Sequence, residues 1–329
     1  MKIFNTEIEV GRTVVNFEIA KLHTRTPLSI PIIVDRAAES GPSVLITAGI
    51  HGDEVNGVEI VRQLISKGFT KPQRGMVISI PVVNVFGFLN QERKFPDGRD
   101  LNRSFPGNAK GSLAARFAYF IMKEIVPHAD YILDFHTGGA GRFNYSQVRY
   151  NPEDIECEKL ALVFGTKFVM RANTRDHSFR DEASELGKKV LMFEGGKSMH
   201  LDRIVTRSGI NGTMRVLHHL GISDFKDLLD KKPDSDEQII VGASSWVRAK
   251  YSGMFRSDRS NGAHVDKGGR IGTITDPFGD FEKVVKAPWS GYIICVNHNP
   301  IINQGDALIH LTKDVESIRK PTRTFHSSI

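Results

Sequence analysis

Short apolar runs of strand length alternate with segments of helical period through the first 220 residues of this 329-residue chain, which restricts it to a layered α/β architecture. Residues 17–22 and 28–34 read as the arms of a β-hairpin, and 44–48, 76–83, 131–133 and 190–193 as further strands. Between them, residues 54–67 carry Val55, Val58, Ile60, Val61, Leu64 and Ile65 at helical spacing. Residues 114–125 form a second amphipathic segment, and 202–220 a helix closed by Gly221. The expected sheet is parallel or mixed, and its strands should stop at the residues that carry the chemistry.

Two of those runs stop at a histidine among glycines. Gly49-Ile50-His51-Gly52-Asp53-Glu54 follows Val44–Ala48, and His136-Thr137-Gly138-Gly139 follows Tyr131-Ile132-Leu133-Asp134-Phe135. Open α/β sheets bind ligands at the carboxyl ends of their strands, so both fragments point to one crevice. His51 and Glu54 offer half of a metal site, and His136 a third ligand. Catalytic zinc keeps three protein ligands and leaves one position to water or substrate. The plainer reading is a pair of hydrogen-bonded imidazoles near a sheet edge. Asp53 reads as a supporting group or a helix-start residue.

A third segment, Pro81–Gly107, contains Glu92-Arg93-Lys94-Phe95-Pro96 and Asp100-Leu101-Asn102-Arg103-Ser104-Phe105-Pro106-Gly107. Together with Gly-Ile-His-Gly-Asp-Glu, Asp-Phe-His-Thr-Gly and Phe193-Glu194-Gly195-Gly196, taken in this order, it resembles the succinylglutamate desuccinylase/aspartoacylase branch of the zinc carboxypeptidase clan. The resemblance spans about residues 40 to 220 and extends more weakly to about 313. It implies one Zn²⁺ per chain on His51, Glu54 and His136, with Glu194 taking a proton from water and returning it to the departing amine. Arg93 resembles the arginine that stabilises the oxyanion, and Asn102 and Arg103 the pair that grips a substrate carboxylate. Arg180 matches a further arginine for a second acidic group, while Arg99 stays unassigned between a site and a surface charge.

The implied activity is hydrolysis of the amide bond of a small, anionic N-acylated amino acid or related amine. A metallocarboxypeptidase trimming peptide or glutamyl tails shares the same carboxylate grip and is the first alternative. A non-catalytic zinc-containing binding protein is the second, although such a protein has no evident need for a base like Glu194.

Composition sets the remaining bounds. No apolar run reaches membrane-spanning length and the N-terminus lacks a signal-peptide core, so a soluble cytoplasmic protein is expected, without a membrane partner. The net charge of +6 is spread along the chain with no dense basic block, which argues against nucleic acid and for a surface that attracts small anions. Cys157 and Cys295 make no disulfide framework and no Cys-rich metal site. His218 and His219, near a helix end, and His177, His264, His298 and His310 have no ligand pattern. Gly138-Gly139-Ala140-Gly141 lacks the Walker and Rossmann spacings, and no Gly-x-Ser-x-Gly elbow exists. Association into a homo-oligomer is left open.

The polar run 230–237 reads as a linker, after which the texture turns to short strands and glycines. The expected organisation is a mixed-sheet, zinc-carboxypeptidase-like domain over 1–230, a small all-β barrel-like domain over 239–313, and a tail over 314–329 whose last residues, from 319, are disordered. Val285–Ile294 and Asn303–Leu308 resemble the barrel of biotinyl and lipoyl carriers, but Asp280 stands where those carriers hold the modified lysine. The domain is therefore expected to be a structural or gating module.

Overall fold

The computed structural model describes residues 1–229 and 237–319. Most of the expected linker and the last ten residues lie outside the described residues. In chain order the strands begin β1 (Lys2–Ile3), β2 (Thr6–Glu7), β3 (Gly11–Lys21), β4 (Pro27–Arg36), β5 (Glu39–Ala48) and β6 (Arg74–Ile80). They continue with β7 (Tyr131–Gly138), β8 (Arg142–Tyr150), β9 (Phe168–Arg171), β10 (Lys189–Lys197), β11 (Glu237–Arg248) and β12 (Gly253–Ser257). Last come β13 (His264–Val265), β14 (Arg270–Thr275), β15 (Glu282–Lys286), β16 (Gly291–Asn297), β17 (Ile301–Ile302) and β18 (Ala307–Arg319). The helices are α1 (Val55–Ser66), α2 (Val85–Asn90), α3 (Leu113–Glu124), α4 (Ile155–Phe164), α5 (Phe179–Glu185) and α6 (Arg203–His219).

At the centre, β6, β5, β7 and β10 run parallel, as continuous apolar strands demand. Successive residues of each strand enter opposite layers. Val44, Ile46, Ala48, Leu133, Phe135, Leu191 and Phe193 pack with Ile60, Leu64, Phe164, Met214 and Leu217 of α1, α4 and α6. Leu45, Ile132 and Val190 face the other way, toward Phe117 and Ile121 of α3 and Phe179 of α5. Burial on both faces is what makes these runs read as unbroken apolar stretches rather than alternating ones.

The mixed α/β expectation holds, and the hairpin is seen as β3 and β4 paired antiparallel. Several boundaries differ from it: β3 begins at Gly11 instead of 17, and β6 ends at Ile80 instead of 83. His136 and Glu194 lie inside β7 and β10, because the antiparallel partner β8 keeps β10 hydrogen-bonded as far as Gly196 and the β7 pairing reaches Lys197. The final strand also runs past residue 313 to Arg319, held against β11 from Ala307 onward, so the start of the expected tail is ordered strand.

Among the described residues from 237 to 319 the regular elements are all strands, yet they are not separate from the main sheet. β11 adds parallel to β9, β18 and β16 follow, and β16 also pairs with β8. The strands β8, β9, β11, β18 and β16 thus close into a five-stranded barrel. Val148, Val169 and Ile240 point out of it into the helix layer, whereas the alternate residues Phe168, Met170, Ile239 and Val241 gather with Ile294 in a separate cluster. A four-stranded sheet in the order β15-β14-β12-β17 packs beyond it.

Candidate active site

The carboxyl ends of the parallel strands β5, β7 and β10 bring His51, His136 and Glu194 to one edge of the sheet. After β5, Gly49 turns the chain at φ +64°, and a Cβ on Gly52 would lie 1.8 Å from the Gly87 carbonyl carbon, so only glycine lets these two backbones pass. Glu54 sits at the start of α1, where its Oε2 accepts the Thr137 backbone N–H at 3.0 Å and thereby ties β5 to β7. Glu194 is the direct register partner of His136.

His51, Glu54 and His136 are each buried, and their ligand atoms lie within 4.8 Å of one another. Both imidazoles turn Nδ1 toward the Glu54 carboxylate, at 2.7 Å from His51 and 3.1 Å from His136. Both present Nε2 to a further carboxylate: His51 to Asp100 at 3.1 Å and His136 to Asp134 at 2.8 Å. Asp134 is in turn held by the Thr47 hydroxyl at 2.7 Å. Inner nitrogens converging on one point while outer nitrogens are fixed by carboxylates is the arrangement of metal-binding histidines. Two imidazoles and a carboxylate suit zinc, and this donor set fits the ion.

The electrostatics follow from that packing. Burial disfavours the imidazolium of His51, but Glu54 and Asp100 outweigh it and raise its pKa; for His136, Asp134 and Glu54 likewise overcome burial. The paired histidines hold Glu54 below the usual carboxylate range despite its burial. Asp53 moves the other way, raised by burial and by neighbouring Glu54, and its Oδ1 is buried without a hydrogen-bond partner.

Arg93 reaches the cluster from outside. It donates to Glu54 Oε1 at 3.3 Å and to Asp100 Oδ2 at 2.8 Å, so its guanidinium borders the donor set. Asp100 also caps the short helical turn Leu101–Arg103, accepting the Asn102 N–H at 2.9 Å. Asn102 is buried, and its side-chain oxygen accepts the N–H of Phe179 at 2.8 Å, which docks the start of α5 against the loop. Arg103 donates to the Asn102 carbonyl. Arg180, on α5, is 5% exposed and donates to the carbonyls of Ala172 and Asn173, while its Nε has no partner. Burial and the nearby Arg149 lower its pKa to about 10.

All eight residues assigned to metal, catalysis or substrate in the sequence line one cavity of about 630 Å³, and Arg99 is not among its lining residues. Other lining residues had carried no signal. Asn144 donates to Glu194 Oε2 at 2.7 Å and Arg149 approaches Oε1 at 3.9 Å, both from β8. Arg142 starts the same strand, while Trp246 of β11, His310 of β18 and Cys295 of β16 come from the C-terminal strands. Asp134, which supports His136 from outside the lining, did carry a signal, because residues two apart on a strand share a face.

The catalytic-domain model of succinylglutamate desuccinylase/aspartoacylase matches residues 40–220. The N-alpha-acetyl-L-2,4-diaminobutyric acid deacetylase of Halomonas elongata is 28% identical over 308 residues, covering 88% of this chain and 87% of that protein. Among solved structures, a succinylglutamate desuccinylase/aspartoacylase from Rhodobacter sphaeroides superposes with a TM-score of 0.79 at 24% identity, over 93% of this chain and 97% of the other. The product-bound ectoine utilization protein EutE (DoeB) of Ruegeria pomeroyi gives 0.79 at 22% identity, over 92% and 95%. With the fold shared along nearly the whole chain and the family model matched over more than half of it, this protein belongs to the succinylglutamate desuccinylase/aspartoacylase family.

Proposed function

We propose that the chain is a zinc-dependent hydrolase of the amide bond in a small N-acylated amino acid or related amine. The observation that carries this reading is the register of His136 with Glu194, which sets a carboxylate beside the His51–Glu54–His136 donor set in the lining of one cavity. His51, Glu54 and His136 would hold the ion, which when bound supplies a Lewis acid and lowers the pKa of water.

The remaining chemistry belongs to the chain. Glu194, steadied by Asn144, accepts the proton of the attacking water and delivers it to the departing amine nitrogen. Arg93 offers N–H groups to the oxygen on which negative charge develops, and its bridge to Asp100 keeps it preorganised there. Arg103 binds the substrate carboxylate through paired hydrogen bonds, and Asn102 fixes the loop that carries it. Arg180 secures the 172–173 backbone and adds positive charge behind that carboxylate.

A cavity of about 630 Å³ suits a small molecule rather than a polypeptide. We read residues 1–230 as the hydrolase unit and 239–313 as a β unit whose strands supply one wall of this cavity. The test is amine release from N-acetyl, N-succinyl and N-formyl amino acids and from glutamyl-ended peptides, comparing wild type with Glu194→Ala at matched zinc occupancy. Release by wild type alone is expected; equal release by both proteins would remove Glu194 from the reaction.

A further inference from the structure

A second cleft, of about 700 Å³, lies between the strand pair β8–β16 and the chain that leaves β12. Buried Phe255 and Val296, with half-buried Phe143, give it an apolar floor. Lys197, Arg256, Arg259 and His298 give it a cationic rim, with no carboxylate among the described lining residues. Its separation from the catalytic cavity follows from strand alternation. Arg142 and Asn144 of β8 and Cys295 of β16 line the catalytic cavity, whereas Phe143 and Val296, which are register partners, line the cleft. Neighbouring residues of a strand point to opposite faces, so the two cavities stand back to back across the same pair of strands.

The rim is held in place but its charge is not answered. The His298 ring stacks on Phe143 at 5.5 Å between centroids, and its backbone N–H donates to the Gly141 carbonyl at 3.0 Å. Burial, then Lys197 and His200, lower the pKa of His298, as a shared field of positive charge does. Arg259 donates from Nε to the Arg270 carbonyl at 3.0 Å, which leaves its two terminal nitrogens without a protein partner. Asp258, the carboxylate beside it in sequence, is taken by Arg270. Among the described residues the side chains of Lys197 and Arg256 make no hydrogen bond or ion pair. The Asn261 side chain also lines the cleft with its Oδ1 buried and unpartnered, and turning that amide over presents its NH2 group instead.

We propose that this cleft binds a small organic phosphate, with the phosphoryl group among Lys197, Arg256, Arg259 and His298 and the organic body on Phe143 and Phe255. A phosphate ester carries roughly two negative charges at neutral pH and several acceptor oxygens, which suits a rim of many donors with no acid among them; a carboxylate offers less of both. The apolar floor gives the organic body a surface to cover. A nucleic-acid strand needs a positively charged groove that tracks its backbone, whereas here the net charge of +6 is spread along the chain. The site stands apart from the hydrolase reading and does not depend on it.

The test is calorimetry on the zinc-loaded full chain with phenyl phosphate, inorganic phosphate, benzoate and acetate. Phenyl phosphate should bind tightest, inorganic phosphate next, and the two carboxylates weakest. Arg256→Gln and Lys197→Gln should each weaken phenyl phosphate by roughly 10–100-fold, the range of a hydrogen bond to a charged group. Arg103→Gln, in the catalytic cavity, should leave that affinity unchanged. Phenyl phosphate should also move the His298 ring signal in the proton NMR spectrum, assigned by its loss in His298→Asn. Affinity that survives both Arg256→Gln and Lys197→Gln, or falls only with Arg103→Gln, overturns the site. Benzoate binding as tightly as phenyl phosphate overturns it too. Tighter binding of single-stranded polyuridylate than of phenyl phosphate would replace the small ligand with a nucleic-acid surface and equally reject the proposal.

Discussion

The two walls of the cavity are built on opposite principles. His51, Glu54 and His136 are themselves matched: carboxylate against imidazole, imidazole against a further carboxylate, and the Arg93 guanidinium against Glu54 and Asp100. Around Arg142 and Arg149 the charge is left largely unanswered, with the Trp246–His310 ring stack behind it. A matched network is rigid and holds one geometry for an ion. An unanswered one draws anions toward the cavity, which aids encounter rather than the reaction step.

The comparison breaks most severely at Glu54, which touches both histidines, Arg93 and the Thr137 N–H. Glu54→Ala should abolish stoichiometric zinc by metal analysis and remove activity with it, as should chelation of the wild type. Zinc retained at one per chain in this variant would refute the ligand set. Glu194→Ala should lower kcat by about 10²–10⁴-fold at unchanged zinc content, the usual contribution of a general base. Arg93→Ala should cost about 10²–10³-fold in kcat, as loss of an oxyanion donor does. An effect confined to KM would instead make Arg93 a substrate anchor.

Smaller effects sharpen the same contrast. Asp134→Asn removes the carboxylate behind His136 and should weaken zinc by about 10–100-fold in competition with a chelator. On the other wall, His310 has its pKa lowered to about 3, first by burial and then by Arg149. Between that value and its ordinary 6.5, the unfolded chain binds a proton that the native state refuses. Stability from this group is therefore complete above pH 6.5 and is lost as pH falls, by about 2 kcal/mol at pH 5. His310→Phe should shrink the drop in Tm between pH 7 and pH 5, and an unchanged drop would show that the imidazole is accessible to protons.

The matched wall was legible because its residues cluster along the chain. His51 and Glu54 lie three apart at a strand-to-helix turn, and His136 follows an apolar run, so periodicity alone placed them at strand ends. Glu194, Arg93, Asn102, Arg103 and Arg180 were nominated by family resemblance, and their convergence on the cavity required the fold. The other wall left no trace. Arg142, Arg149, Trp246 and His310 sit in three strands, β8, β11 and β18, separated by about a hundred residues or more of chain between β8 and the others, and no local pattern links them. The barrel closure that joins them is made by backbone hydrogen bonds between β16 and β8, which side-chain periodicity does not encode.

By itself, then, the sequence determined the α/β layering and the turn chemistry at His51, because strand burial, helical period and glycine conformation act over a few residues. The tertiary structure alone decided that β11, β16 and β18 join the main sheet instead of standing apart, and that His136 and Glu194 lie within their strands. It also decided which arginines face an ion pair and which face open cavity, since a charge's partner is set by distance in space and not by position along the chain.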